Sequence, residues 1–134
     1  MTNVLVTGGT GFIGSNLVLE LVKRGYNVRV FDNNFRGKLD NLESVKEKVE
    51  FVEGDIRNLN DVKRAVSGME VVYHLAFING TEYFYKLPEL VLEVGVKGQI
   101  NMIDAISDES TVKTFIYASS SEVYQNATEI PTTE

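Results

Sequence analysis

The residues at the start of the chain restrict the possible folds more than any other stretch. A short apolar run is followed by a turn rich in glycine, and then by apolar residues that recur at helical spacing. This order of strand, glycine turn and helix is the context that a dinucleotide-binding fingerprint requires. Its glycines allow a tight turn and let the backbone approach a pyrophosphate at the N-terminus of the helix. The residues of this stretch expected to form the cofactor site are Gly8, Gly11, Phe12, Ile13 and Gly14.

An acidic residue ends the next predicted strand, which spans residues 27–31. In dinucleotide sites an acid roughly 20 residues beyond the glycines accepts a hydrogen bond from a ribose hydroxyl. Asp32 follows Gly14 at close to that spacing, so we expect it to bind ribose. The alternative is that Asp32 only caps a loop.

Strand and helix patterns alternate along the whole chain. Strands are predicted at the N-terminus, at 27–31 and 49–52, within 70–76 and at 112–118, and helices at 12–24, about 58–67 and 88–106. Residues 42–46 favour a short helical turn, whereas 77–86 are predicted to be irregular. The alternation indicates an α/β fold, a doubly wound parallel sheet of the Rossmann type with strand order 3-2-1-4-5. A length of 134 residues favours one domain, residues 1–134.

Composition excludes several classes of function. The formal net charge of −6 gives no support to nucleic-acid binding, which usually needs a basic face. The absence of cysteine excludes disulfides and thiol chemistry. We find neither a signal-peptide pattern nor an apolar run of membrane-spanning length, so a cytoplasmic location is expected.

A second group of polar residues follows the last predicted strand. Residues 118–124 carry three serines and a carboxylate, and ligands in such sheets bind outside the carboxyl ends of the strands. These side chains are candidates for contact with a substrate. A serine-rich turn that only caps the sheet would have the same sequence.

Residues 7–14 resemble the glycine motif of the extended short-chain dehydrogenase/reductases, and more narrowly that of the NAD-dependent nucleotide-sugar epimerases and dehydratases. Segments 32–33, 54–57, 74–76 and 119–124 are similar to further motifs of that family. The resemblance implies NAD as cofactor, a nucleotide-sugar substrate and a homodimeric parent protein. It adds these residues to the cofactor site: Asn33, Asp55, Ile56, Leu75 and Ala76.

The resemblance also implies roles near the substrate. Ser120 matches the family's catalytic Ser or Thr, which hydrogen-bonds the reacting sugar oxygen. Glu122 is suited to general acid/base catalysis, although it could equally be a solvated carboxylate. Ser121 matches a position with auxiliary groups. Phe77 belongs to an aromatic group that could line a substrate pocket or pack within a loop.

The chain departs from the family in its proton-handling residues. The family's Tyr-x-x-x-Lys pair is missing, because none of the six tyrosines is followed by lysine four positions later. We therefore expect an N-terminal piece of a longer enzyme, inactive by itself. The alternative is a non-catalytic dinucleotide-binding sensor or interaction module. Gly95 stands where the family often has asparagine.

Charge favours NAD over NADP. Asp32 would repel a 2′-phosphate, and residues 7–14 contain no Lys or Arg to receive it. Arg36 could partly compensate for that lack. His74 is the only histidine, and we expect it to be a half-buried strand residue without a catalytic role and not a metal ligand.

Overall fold

Five parallel strands form one sheet in the order β3-β2-β1-β4-β5, as predicted. The computed structural model describes residues 1–124. The strands are β1 Asn3–Thr7, β2 Asn27–Asp32, β3 Val49–Glu53, β4 Val71–His74 and β5 Thr114–Tyr117. The helices are α1 Phe12–Lys23, α2 Leu59–Val66, α3 Thr81–Lys86, α4 Pro88–Leu92 and α5 Gly98–Asp108. A π-helical turn, Glu93–Lys97, joins α4 to α5, and 3-10 helices span Leu39–Lys48 and Ser121–Tyr124.

Alternate side chains of β1 point into two separate cores. Leu5 packs with α2 and α5, whereas Val4 and Val6 pack with α1 and with Leu42 of the first 3-10 helix. A strand buried on both faces has this continuous apolar sequence because helices cover both sides of a parallel sheet. The two cores hold β1 at the centre of the sheet, with the glycine turn at its carboxyl end.

Before β5, one local prediction of secondary structure was wrong, and two predicted helical segments are present but differ in their bounds or type. The segment predicted to be irregular contains α3, since residues 81–86 form one helical turn and a half. Tyr83 of this helix packs against the ring of Phe35. The predicted uniform helix at 88–106 contains a π-helical turn and continues to Asp108. Around residues 42–46 the 3-10 helix is longer than predicted, spanning Leu39–Lys48.

Within residues 1–124, none of the helices has the length and apolar character that a membrane crossing requires. Residues 119–134 are polar, and their sequence predicts no further helix or strand. The structure has a 3-10 helix at Ser121–Tyr124, so that part of the prediction was wrong, and residues 125–134 lie outside the described residues.

Candidate functional site

The glycine turn leaves no room for side chains at two of its positions. Gly8 has a φ of +70°, and a Cβ there would lie 2.9 Å from the backbone nitrogen of Ala76. A Cβ at Gly14 would lie 2.1 Å from the carbonyl oxygen of Gly8. Both approaches are between backbones, which cannot move aside as a flexible side chain can. The turn is therefore packed tightly against the loop after β4 on one side and against the start of α1 on the other.

The other side of the turn is open. A Cβ at Gly11 would meet only the Gly8 carbonyl oxygen, at 3.2 Å. Phe12 and Ile13, which begin α1, are 86% and 71% exposed, and the first turn of α1 contains no acidic residue. The N-terminus of α1 thus presents free N–H groups and the positive end of the helix dipole without a competing carboxylate. This is the arrangement that binds a phosphate group.

Asp32 is fixed beside the turn by two backbone N–H groups. Its Oδ2 accepts from the Thr10 nitrogen at 3.0 Å, and its Oδ1 accepts from the Asn34 nitrogen at 2.9 Å. Asn34 has a φ of +57°, which brings its N–H to the carboxylate. An ionised carboxylate offers about four lone-pair sites. The two that remain can accept from the hydroxyls of a ribose.

A chain of polar contacts extends from this acid to the next strand. The Asn33 side-chain amide lies 3.4 Å from Oδ2 of Asp55, at the end of β3. The Arg57 guanidinium donates to the same carboxylate from Nη2 at 2.7 Å and from Nε at 3.0 Å, and its Nη1 donates to Glu93 at 2.9 Å. Hydrogen bonds from Arg57 hold the pKa of the Asp55 carboxyl below its ordinary value. Asp55 therefore stays an acceptor, and Arg57 ties it to the π-helical turn.

Ile56 is buried beside this carboxylate. It packs against Gly98, where a Cβ would lie 2.5 Å from its Cδ1. Its carbonyl oxygen accepts from the side chain of the buried Asn101 at 2.8 Å. The segment that resembles the family's adenine-side motif is thus held against α5 by both the side chain and the backbone of Ile56.

Thr7 and His74 join the carboxyl ends of β1 and β4. The Thr7 hydroxyl lies 2.7 Å from His74 Nδ1, and it accepts from the N–H groups of Leu75 at 3.2 Å and Ala76 at 3.1 Å. Because both lone pairs are engaged, the hydroxyl proton must be donated to Nδ1. His74 is then the neutral tautomer with its proton on Nε2.

The environment of His74 agrees with this tautomer. The side chain is 3% exposed. Its ring stacks on two aromatic rings of β5, with centroid distances of 6.2 Å to Phe115 and 5.8 Å to Tyr117. Burial lowers the pKa of His74 to about 4. The expectation of a half-buried histidine was wrong, because β5 covers the ring. Thr7 and His74 position Leu75 and Ala76 against the glycine turn.

Phe77, in the loop after β4, packs against the π-helical turn. Its ring lies so close to Gly95 that a Cβ there would be 2.7 Å from Phe77 Cε2. Phe77 is still 53% exposed, so the residue remains accessible to a ligand. Of the other aromatic residues in this segment, Tyr83 packs on Phe35, while Phe84 and Tyr85 remain exposed.

The serine segment leaves the carboxyl end of β5. The Ala118 nitrogen donates to the carbonyl oxygen of His74 at 3.2 Å, which places this segment next to β4. Ser120 and Glu122 are exposed, and Ser120 Oγ accepts from the Glu122 nitrogen at 3.2 Å. Ser121 begins the last 3-10 helix. Among residues 1–124 no hydrogen bond joins Ser120 or Glu122 to the glycine turn, so their catalytic roles stay predictions.

Sequence reasoning missed the residues that lock the site together: Thr7, Arg57 and the contacts of Arg36. One signal for the first was available. Thr7 and His74 occupy paired positions of adjacent strands, so a hydroxyl directly before the glycines faces an imidazole. The contacts of Arg36 depend on how two loops fold, which no periodicity encodes.

Together the fold and the glycine turn define a dinucleotide-binding protein of the Rossmann type. Among residues 1–124 there is no group of three or more His, Asp or Glu residues that could hold a metal ion. The chain belongs to the NAD dependent epimerase/dehydratase family, whose model matches residues 4–134. The family's cofactor is NAD, and a tight glycine cradle with an acid at the ribose position fits that cofactor.

Similar proteins act on several nucleotide sugars. The chain is 36% identical over 124 residues to the UDP-N-acetyl-alpha-D-glucosaminuronate decarboxylase of Bacillus cytotoxicus, covering 92% of this chain and 38% of that protein. It is 36% identical to the CDP-paratose 2-epimerase of Salmonella typhi, covering 90% of this chain and 37% of that protein.

A solved structure is similar over nearly the whole chain. The UDP-glucose-4-epimerase of Stenotrophomonas maltophila, with bound NAD and formylated UDP-arabinopyranose, superposes with a TM-score of 0.88 at 28% identity. The match covers 98% of this chain and 40% of that one. The chain therefore spans about two-fifths of the length of the relatives that it matches.

Proposed function

We propose that residues 1–134 are the NAD-binding domain of a nucleotide-sugar epimerase, dehydratase or decarboxylase. The observation that carries the proposal is the glycine turn, which is fixed by Asp32 at the end of β2 and by the contact between Thr7 of β1 and His74 of β4. Membership of the family and the nucleotide-sugar substrates named for three relatives support it.

Each part of NAD has a candidate partner. The pyrophosphate lies on the free N–H groups at the start of α1, contributed by Phe12 and Ile13, and against the open side of Gly11, whose own N–H donates to the Gly8 carbonyl oxygen. Asp32 and Asn33 bind the adenosine ribose, and Asp55 and Ile56 lie on the adenine side. Leu75 and Ala76 border the cofactor beyond the pyrophosphate. The order of these residues along the sheet, from β3 to β4, matches a dinucleotide laid across the carboxyl ends of the strands.

The residues after β5 handle the sugar. NAD, when bound, accepts a hydride from a sugar carbon and returns it later. The Ser120 hydroxyl hydrogen-bonds the reacting oxygen and orients it, and Glu122 moves a proton in the middle step. Ser121 and the exposed Phe77 contact the substrate. In the family a tyrosine removes the first proton and a lysine lowers the pKa of that tyrosine; residues 1–134 contain no such Tyr-x-x-x-Lys pair, so we expect this chain to bind NAD without turnover.

Dimerisation of the parent protein is proposed through the long helix, residues 88–108. Leu92, Val96 and Ile100 are spaced four residues apart on one exposed face, with 63%, 58% and 53% of their surfaces accessible. A row of large apolar side chains at this spacing is typical of a surface that packs against another helix.

Calorimetric titration with NAD and NADP tests the function. We expect saturable binding of NAD by the wild-type chain and markedly weaker binding of NADP, because Asp32 repels the 2′-phosphate. Asp32→Ala should weaken NAD binding about tenfold and reduce the preference for NAD. Glu43→Ala, which removes an exposed carboxylate that pairs with Lys46, is the matched control and should change neither value. Incubation with UDP-sugars should give no product, and brisk turnover would overturn the argument from the missing pair.

A further inference from the structure

Arg36 reaches from one side of the glycine turn to the other. It lies in the loop after β2, and its Nη1 donates to the carbonyl oxygen of Asn79, in the loop after β4. Its guanidinium carbon also lies 5.2 Å from the ring centroid of Tyr83 in α3. The neighbouring Phe35 packs on the same ring, with a centroid distance of 5.8 Å.

The order of the strands determines what this side chain crosses. β1 lies between β2 and β4 in the sheet, so a contact between the loops after β2 and β4 spans the carboxyl end of β1. The glycine turn begins at that end. Neighbouring strands are about 4.8 Å apart, so the two loops start roughly 10 Å from each other, a distance that an extended arginine and a loop together can bridge.

The loop that carries Arg36 is anchored on the turn itself. The Lys38 nitrogen and the Asn41 side-chain amide both donate to the carbonyl oxygen of Thr10, at 3.2 and 2.8 Å. Gly37 lies directly against the Thr10 side chain, where a Cβ would come within 1.9 Å of the hydroxyl oxygen. The backbone beside Arg36 is therefore fixed next to the turn, and only the side chain projects across it.

The turn contributes no positive side chain of its own. Residues 7–14 contain neither Lys nor Arg, so their interaction with a pyrophosphate rests on N–H groups and the dipole of α1. A guanidinium is planar and always charged, and it pairs with phosphate oxygens through two parallel hydrogen bonds. Its attachment to Asn79 and Tyr83 orders it before the ligand arrives, which lowers the entropy lost on binding.

We propose that Arg36 is a cofactor-binding residue that closes over the pyrophosphate of NAD, with Tyr83 as the positioning residue that holds it there. The inference rests on the proposed function, since it requires a dinucleotide on the glycine turn. Arg36 then contacts the pyrophosphate and not a 2′-phosphate, which is the contact that the sequence alone left open for it.

Calorimetric titrations with NAD, ADP-ribose and NADP test this role. Arg36→Met removes the charged guanidinium and keeps an unbranched apolar stem, and Lys38→Met removes a charge in the same way two residues away. We expect Arg36→Met to weaken NAD and ADP-ribose by the same factor, about tenfold, because both contain the pyrophosphate. Lys38→Met should change either affinity less than twofold. Tyr83→Leu should cause a smaller loss that is not additive with Arg36→Met, because it acts through the same guanidinium.

The outcomes separate this inference from the proposed function. Wild-type binding of NAD with no loss in Arg36→Met overturns the role of Arg36 and leaves the NAD site intact. Equal losses of NAD affinity in Arg36→Met and Lys38→Met reveal only a general charge attraction, and they also overturn the role of Arg36. A loss confined to NADP assigns Arg36 to the 2′-phosphate instead. Absence of NAD binding by the wild-type chain refutes both, and urea unfolding of each variant verifies that it is folded.

Discussion

His74 should make the chain less stable in mild acid. The imidazole is buried and neutral in the folded state, with its pKa lowered from 6.5 to about 4. In the unfolded chain it regains the ordinary pKa. Between these two values the unfolded state binds more protons, so the free energy of unfolding falls as the pH falls. The stabilisation is complete above about pH 6.5 and is lost progressively toward pH 4.

The size of this effect follows from the shift in pKa. One pKa unit corresponds to roughly 1.4 kcal/mol, so the full shift is worth roughly 3 kcal/mol, of which about 2 kcal/mol is lost between pH 7 and pH 5. The carboxyl groups with a lowered pKa, Asp55, Glu20, Glu70 and Glu109, contribute little in that window, because their ordinary values are 4.5 or less. A single group therefore dominates, and His74 is the only histidine in the chain.

Urea unfolding at pH 7 and pH 5 measures the difference. We expect the wild-type chain to lose about 2 kcal/mol and His74→Asn to lose almost nothing over the same interval, because the amide does not titrate. The Oδ1 of asparagine takes the position of His74 Nδ1 and accepts from the Thr7 hydroxyl, so this variant is chosen to retain the link between β1 and β4. Equal losses in the two proteins would refute the assignment of a buried neutral histidine.

Three other substitutions test the packing of the site. Thr7→Val should lower the free energy of unfolding by about 2–4 kcal/mol, because it leaves His74 Nδ1 and the Ala76 N–H without a partner. Thr7→Ser should lower it by only about 1 kcal/mol, for the lost methyl group. Urea unfolding measures both, and similar values for the two variants would contradict the hydrogen-bond assignment. Gly14→Ala should prevent stable folding, because its Cβ would meet the Gly8 carbonyl oxygen, as measured by circular dichroism against wild type. Gly11→Ala should fold and unfold as wild type does but bind NAD several-fold more weakly, because its Cβ enters the open side of the turn. An unchanged affinity in calorimetry would count against a phosphate site there. The exposed apolar face of the long helix should cause the isolated chain to associate, so light scattering of a strictly monomeric species would contradict that expectation.

The sheet was predictable because its signals are local. Apolar runs such as the one ending at Val6 mark strands buried on both faces, and the glycine turn fixes which strand lies at the centre. The rule for right-handed crossovers then leaves few possible strand orders. Asp32 could be assigned for the same reason, since it directly follows a strand.

The contacts that lock the site were less accessible from the sequence. The burial of His74 depends on β5, forty residues away in the chain, and the π-helical turn depends on the fit of Phe77 against Gly95. Neither feature leaves a periodic pattern. The position of Arg36 was open for a further reason: a long side chain on a loop can point to either end of the turn, and only the packing of Tyr83 decides which.

Amide chemical shifts of the labelled chain, recorded as NAD is added, test the central claim most directly. We expect saturable shifts centred on Gly8, Gly11, Phe12 and Ile13 and on Asp32, where the pyrophosphate and ribose are proposed to lie. The amides of Lys23 and Arg24, at the far end of α1, should stay unchanged. Shifts that do not saturate, or that leave the glycine turn unaffected, would contradict the assignment of this turn as the NAD site.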